Sequence, residues 1–469
     1  GHKRSALSRF EDRTWDLSPA VFREFARVCH VTAHFDGIED ASVVRTLREF
    51  LYARLNFDMP GHRGRLPPGS IRQLFNRTRR FLEFVAARRG TCHLPNVDQA
   101  TLDAYRNHLT ADPQRRSIQV AHLLGVVVDL HHYRGHMPSG GLELLPWKGR
   151  SAHVVAGAKQ TAGENKTPRL PEQVIAPLLK WSLKYITIFS ADILAARAEL
   201  ETLEQNQKRL VAEDRRLSPA ARRQRQRERL IAYLDQLRAK DRGVPIWTTA
   251  HNGIVRTDPI TRATTPPVNA LLIHMHVGID AQAEPAHHVM FRKATKPLML
   301  EAITALGTED GGMDTPIAVD PDTGKPWRAR FDAKSLLLEE RMLQAACYIV
   351  CAYLTGMRDC EVQAMRTGCL DVERSEDGII DRYQVRSTVY KRRDVRGQAE
   401  KWVTIEPVAK AITVLERLTE HIRRRRGGDT LWRVLNDGQS SKDHVSAEIV
   451  RQLNTFRDHL NAQFGTPEA

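Results

Sequence analysis

The feature that most constrains this chain is the stretch from Leu336 to Leu354, its most apolar helical pattern. Leu338, Met342, Ala345, Ala346, Ile349, Val350 and Tyr353 recur at the spacing of a buried helix, and Gly356 follows where a left-handed residue ends one. A helix so apolar must be surrounded, so other parts of the chain have to supply the core around it. A length of 469 residues allows this, and a prior of about 150 residues per domain gives roughly three domains. Cys347 and Cys351 fall on the apolar face, where they act as small hydrophobes. Together with Cys29, Cys92, Cys360 and Cys369 they form no Cys-x-x-Cys pair, so reduced thiols are expected.

Upstream, most of the chain also reads as helix. Residues 18–57 show helical periodicity at Val21, Phe22, Phe25 and Val28, then Val44, Leu47, Leu51 and Leu55, which predicts a helical N-terminal module over residues 1–60. Pro67-Pro68-Gly69-Ser70 is a turn and N-cap, followed by Ile71, Leu74, Phe75, Thr78, Phe81, Leu82 and Val85 on one face. A second helix starts near Asp98 with Leu102, Tyr105 and Leu109, and a third follows Arg115-Arg116-Ser117. Short loops between them predict a compact helical bundle over residues 61–150. From Leu145 to Pro168 glycine and lysine suit a linker, and after Pro171 a long helical pattern leads into the charged segment Glu199 to Lys240. Its seam of Leu200, Leu203, Leu210, Leu217, Leu230, Leu234 and Leu237, broken at Ser218-Pro219, predicts a helical hairpin or short coiled coil. That pair serves either protein contacts, including self-association through residues 171–240, or direct DNA contact. Residues 241–330 read as short strands and loops, including Leu271-Leu272-Ile273-His274-Met275-His276. His274, His276, His287 and His288 lack companion Cys or carboxylate spacing, so neither metal nor cofactor is expected.

Charge points to the partner. Lys plus Arg total 71 against 56 Asp plus Glu, a net charge of +15, and most of the cations are arginine, whose planar fork suits phosphate oxygens. The cations cluster on the bundle's polar faces as Arg72, Arg77, Arg79, Arg80, Arg115 and Arg116, then continue along the linker as Lys148, Lys159 and Lys166. This pattern favours the phosphates of duplex DNA over a membrane. No run of about 18 apolar residues, N-terminal signal or lipidation motif is read, and the expected location is the cytoplasm, close to the nucleoid.

After the apolar helix comes Thr355-Gly356-Met357-Arg358-Asp359-Cys360-Glu361-Val362, which places an arginine rigidly on a turn with its guanidinium outward. A β-hairpin follows, Tyr383 to Lys391 and Lys401 to Ile405 around a polar turn, and then a helix from Val408 to Arg425 with Ile412, Leu415, Leu418 and Ile422 on one face. This order of bundle, arginine box and lysine-tipped hairpin resembles the tyrosine recombinase (phage integrase) family, whose first catalytic box is Thr-Gly-x-Arg with Glu shortly after. The resemblance implies a mainly α protein: a core-binding helical bundle at 61–150, a linker and insertion at 151–330, and an α+β catalytic domain at 331–469 with a small sheet. It also implies that Arg358 grips the scissile phosphate, that Lys391 donates a proton to the leaving 5′ oxygen, and that Glu361 braces the arginine turn. Strand exchange would then run through a phosphotyrosine, without ATP or metal. Arg392, Arg393 and Lys401 are rivals for the lysine's role. Read from the residues alone, the alternatives are that Arg358 is a helix-end ion pair to a core carboxylate, Lys391 an exposed hairpin lysine and Glu361 a surface helix residue.

The chain departs from the family after the hairpin. No tyrosine follows Tyr390, whose strand position sets it on the opposite face from Lys391. The segments His62 to Arg65, His131 to Arg134 and His421 to Arg424 spell His-x-x-Arg, as 19 histidines among so many arginines would by chance. A last helix is expected from Ser446 to Phe464. The expectation is therefore a recombinase chain that lacks the end of its catalytic domain, by design or by natural truncation, and whose Gly1-His2-Lys3 start is either an added scar or the beginning of an excised fragment. It should bind DNA without cleaving it.

Overall fold

The computed structural model describes residues 8–22, 31–59, 64–158, 170–248, 268–374, 381–390, 396–435 and 449–465. The chain is mostly helical with small sheets. Four expected segments condense into two compact units: residues 1–169 with 388–400, and residues 170–387 with 401–469.

The first unit opens with two short antiparallel strands, β1 (Thr14–Asp16) and β2 (Thr32–His34), ahead of helix α1 (Ala41–Asn56). The N-terminal module is thus only partly helical, and Phe25 and Val28 lie outside the described residues. The strand pair is fixed by the side chains it buries, Trp15 on β1 and Thr32 and Ala33 on β2. Trp15 and Ala33 are register partners that face the core, and the Phe35 ring meets Trp15 edge-on at 5.2 Å and Phe75 at 5.4 Å. Helix α2 (Ile71–Arg89) buries the expected face, from Ile71 to Val85, and ends at Gly90 with φ +76°. Helix α3 (Gln99–Thr110) is capped by Asp98, which accepts from the Thr101 amide at 2.8 Å, and α4 (Ser117–His132) follows Arg116. Phe50 of α1, Phe81 of α2, Tyr105 of α3 and Leu124 of α4 belong to one continuous core, so residues 1–60 are not a separate module.

The expected linker is folded as far as residue 158. The turn Pro146–Gly149 and the short helix α5 (Ala152–Val155) bury Trp147, Ala152 and Ala156 in that same core, while Lys148 stays exposed with φ +55°. Lys159 and Lys166 lie outside the described residues.

In the second unit, α6 (Glu172–Lys184) runs through a π turn, Tyr185–Phe189, into α7 (Ser190–Asp214). This run, Glu172–Asp214, is long and apolar enough by length and composition to cross a membrane, where the sequence reading found no such stretch. Its apolar side chains Trp181, Tyr185, Ile186, Phe189 and Ile193 are buried, with Trp181 stacked on Phe464 and Phe189 on Trp327, each at 4.2 Å. Ser218 caps α8 (Pro219–Ala239), which completes the hairpin.

The arms of that hairpin do not close into a coiled coil. After strand β3 (Val244–Ile246), helix α9 (Ala270–Val277) packs against both α7 and α8 and covers the leucine seam within the chain. Leu271 to His276 is therefore helix rather than strand. The Asn269 side chain caps its N-terminus on the Leu272 amide, and Gly278 ends it at φ +78°. Helix α10 (Pro285–Leu306), also unforeseen, packs on α8. Strand β4 (Thr308–Asp310) pairs in parallel with β3, and β5 (Val319–Asp320) pairs antiparallel with β6 (Lys325–Pro326).

Helix α11 (Ala333–Thr355) is the hub that its composition demands. It packs against α6, α7, α12 (Asp359–Gln363), α13 (Glu406–Arg426) and α14 (Ile449–Phe464). Tyr353, expected inside, is exposed near the helix end. The hairpin strands are β8 (Asp381–Val389) and β9 (Gln398–Thr404), with an unforeseen third strand, β7 (Leu370–Arg374), antiparallel to β8 on the other edge.

Candidate functional site

The site is built where α11 stops. Asp332 caps that helix by accepting from the Lys334 and Ser335 amides at 2.8 Å, and Gly356, at φ +66°, reverses the chain after its last turn. The Thr355 hydroxyl donates to the Cys351 carbonyl at 2.6 Å and accepts from the Met357 amide at 3.2 Å, stiffening the exit. Arg358 is then the N-cap of α12, and Glu361 returns to it in capping-box fashion. The Arg358 amide donates to Glu361 Oε2 at 2.7 Å, and its guanidinium Nη1 donates to Oε1 at 2.5 Å. The carboxylate is 3% exposed and the arginine side chain 55%. One edge of the guanidinium is pinned to a buried acid, and the exposed remainder can meet a second anion, since arginine has five N–H donors.

The surroundings fix this turn from three sides. Tyr348 of α11 donates its hydroxyl to Asp359, and burial pushes that phenol well above its ordinary range. The buried Trp432 indole donates to the Val362 carbonyl at 2.6 Å, and Gln344 donates to the Arg433 carbonyl at 2.8 Å. From the sheet, Ser387 of β8 donates to the backbone carbonyl of Glu361 at 2.5 Å. The strand that leads towards Lys391 in sequence is thereby bonded to the arginine turn. Lys391, with Arg392 and Arg393, lies outside the described residues. Lys401 is on β9, 3.4 Å from Asp371, which also holds Arg386 at 3.1 Å, so its ammonium already has a carboxylate partner.

Ser387 and Tyr348 escaped the sequence reading. Ser387 could have been found, because alternation with Val385 places it on the inner face of β8, where a hydroxyl needs a partner. Tyr348 carries no such signal, since an aromatic on an apolar helix reads as core.

The bundle arginines fall into two sets. Arg79 pairs with Glu83 at 2.6 Å and Arg115 with Asp112 at 3.1 Å. Arg72, Arg80 and Arg116 have no carboxylate partner among the described residues, and Arg80 and Arg116 are exposed. Arg77 is half-buried on α2 and makes an interaction of its own. The His-x-x-Arg spellings serve local structure. His421 is buried in α13 with Nδ1 3.0 Å from the Leu418 carbonyl, and Arg424 reaches Glu201 at 3.3 Å. His131 Nδ1 is 2.9 Å from the Leu142 carbonyl, and Arg134 donates to the His131 carbonyl at 2.9 Å. His62 lies outside the described residues.

Among the described residues no three His, Cys, Asp or Glu side chains are grouped to hold a metal ion. His276 stacks on Tyr233 at 4.2 Å, His287 contacts Gln226 at 2.7 Å, and the His274 and His288 rings meet edge-on at 4.6 Å. Burial pushes the His274 imidazole down to about 4, and burial also raises the Cys347, Cys351 and Cys369 thiols. Compared with protein-family models, curated proteins and solved structures, the chain matches none of them.

Proposed function

We propose that this chain binds duplex DNA as a protein of the tyrosine-recombinase type, with Arg358 as the phosphate-gripping arginine and residues 61–150 as the core-binding bundle. The observation that carries this reading is the braced arginine: a guanidinium half in solvent, clamped by a buried Glu361, on a turn whose Glu361 carbonyl accepts from Ser387 of β8.

The chemistry follows from that placement. Attack on a phosphodiester concentrates negative charge on its non-bridging oxygens, and a guanidinium held in advance meets that charge without reorganising. Lys391 would protonate the departing 5′ oxygen. A tyrosine hydroxyl, supplied by a chain that carries one beyond the hairpin, would form the phosphorus–oxygen bond as that 5′ oxygen leaves. The phosphotyrosine keeps the bond energy for religation. The +15 net charge and the unpaired Arg72, Arg80 and Arg116 supply affinity that is blind to sequence.

The test is fluorescence anisotropy with a labelled duplex. Between 50 and 200 mM salt the affinity should fall by about a thousandfold or more if six to ten phosphates are neutralised. Binding that ignores salt, or no binding, overturns the proposal. On a nicked suicide site residues 1–469, with no tyrosine after Tyr390, should yield no covalent adduct. A chain extended to include such a tyrosine should yield one, lost on Arg358→Ala. An extended chain that binds but never forms an adduct would instead be a DNA-binding accessory protein.

A further inference from the structure

We infer that the tip of the α7–α8 hairpin, together with the N-terminal part of α10 as far as Lys296, is a second surface for the phosphate backbone of duplex DNA. This inference rests on the duplex-binding reading and adds to it a contact outside the bundle and the Arg358 turn.

The arginines at this tip do two different things. Asp214, fully buried at the end of α7, accepts from Arg229 at 2.6 and 3.0 Å and lies 3.6 Å from Arg225, and Glu284 at the start of α10 holds Arg222 at 2.6 Å. These pairs lock the turn and tie α8 to α10. With those carboxylates engaged, Arg215, Arg216, Arg223 and Arg227 remain without an ion-pair partner among the described residues, and Arg215, Arg216 and Arg227 are exposed. Arg223 and Arg227 are one turn apart on α8 and share a flank. From Ala286 to Leu300 the neighbouring α10 carries Arg292, Lys293 and Lys296 and no Asp or Glu. The N-termini of α8 and α10 meet here through the Arg222–Glu284 pair, and both helix dipoles add positive potential.

The composition decides between a nucleic acid and an acidic protein. Protein interfaces rely on buried aromatic or large aliphatic anchors. From Pro219 to Arg229 the only aliphatic side chains are Ala220 and Ala221, and the leucine seam below is covered by α9. On the hairpin tip itself cations stand without an anchor, the exposed Val289 and Met290 lying on α10, and such a run suits a uniform polyanion, whose contacts position the protein and carry no base readout.

The experiment measures the slope of log Kd against log salt for the whole chain on a random-sequence duplex. The variant Arg215→Gln/Arg216→Gln/Arg223→Gln/Arg227→Gln should flatten that slope by about 2 to 3.5, at about 0.9 per phosphate contact, and weaken binding at least about tenfold at 0.1 M salt. Arg209→Gln, whose guanidinium is engaged by Glu213 at 2.5 Å, is the control and should keep the wild-type slope. Circular dichroism should be unchanged, since among the described residues none of the four side chains makes an ion pair within 4 Å. A fourfold variant with the wild-type slope overturns the inference while leaving the duplex-binding reading intact. So does a variant that loses affinity for poly-glutamate but not for DNA, which would assign the tip to an acidic protein. If instead this variant flattens the slope and Arg72→Gln/Arg80→Gln/Arg116→Gln does not, the tip surface stands and the bundle's role falls. No binding by the wild type sinks both.

Discussion

The two units bury different amounts of charge. The first is held by one apolar core running from Trp15 through Phe50, Phe81 and Leu124 to Trp147, with Arg54 and Asp129, 3.9 Å apart, and Glu49 buried beside it. The second buries ions. Arg197 grips Glu340, which is fully buried, Lys184 holds the buried Asp320 at 2.5 Å, and Arg242 bridges Glu309 and Asp314. Arg328, Tyr185 and His459 surround the buried Glu339 at 2.9, 2.9 and 3.4 Å. Apolar packing is non-directional and tolerates neighbours of similar shape, whereas a buried ion pair is costly unless its geometry is satisfied. The first unit therefore suits a scaffold that presents cations. The second is fixed in register at many points, including the Glu361 carboxylate behind Arg358.

That contrast can be broken by measurement. Arg197→Ala leaves Glu340 buried without its guanidinium and should cost about 4 kcal/mol in urea unfolding, whereas Arg197→Met with Glu340→Leu should recover nearly all of it. A double variant as unstable as the single one would mean the pair itself, not its orphaned charge, holds the unit. In the first unit, Phe50→Ala should cost about 3 kcal/mol. Hydrogen exchange should then quicken in α2 as well as α1, and protection retained in α2 would restore residues 1–60 as an independent module.

Acid should act on the second unit. His274 is pushed down to about 4 by burial, so between its unfolded value of 6.5 and about 4 the unfolded chain binds the extra proton, and stability falls as pH falls through that window. Glu339 adds in the same direction at lower pH. Burial raises its carboxyl, but His459, Arg328 and Tyr185 more than offset this and leave it below the ordinary range. The His274 contribution is on the order of 3 kcal/mol at most, and His274→Gln should flatten the pH dependence of the urea midpoint over that window. A midpoint flat in wild type would remove the effect. The smallest change is expected from Arg358→Ala, below about tenfold in duplex affinity, because one contact among many is lost. A larger loss would make this arginine the dominant anchor.

Much of the local structure was legible in sequence because helix faces repeat at 3.6 residues. The buried side of α2 was predicted residue by residue, as were the helix start near Asp98 and the hairpin break at Ser218-Pro219. The pattern failed where an element was short. Helix α9 buries Leu272, Ile273, His274 and Met275 in succession, so no 3.6-residue period shows and a helix looks like a strand. It failed again at residues 14–16 and 32–34, strands too short to show alternation.

The sequence by itself determined that a greasy helix must be wrapped by others, that it ends at Gly356, and that Arg358 follows on a turn with Glu361 three residues later. Those facts depend on local geometry and on the cost of exposing apolar surface. Only the tertiary structure decided that α9 fills the leucine seam, that Ser387 reaches the Glu361 carbonyl, and which tip arginines are paired and which are free. Each of these joins residues far apart in the chain, where spacing carries no information and packing alone selects the partner.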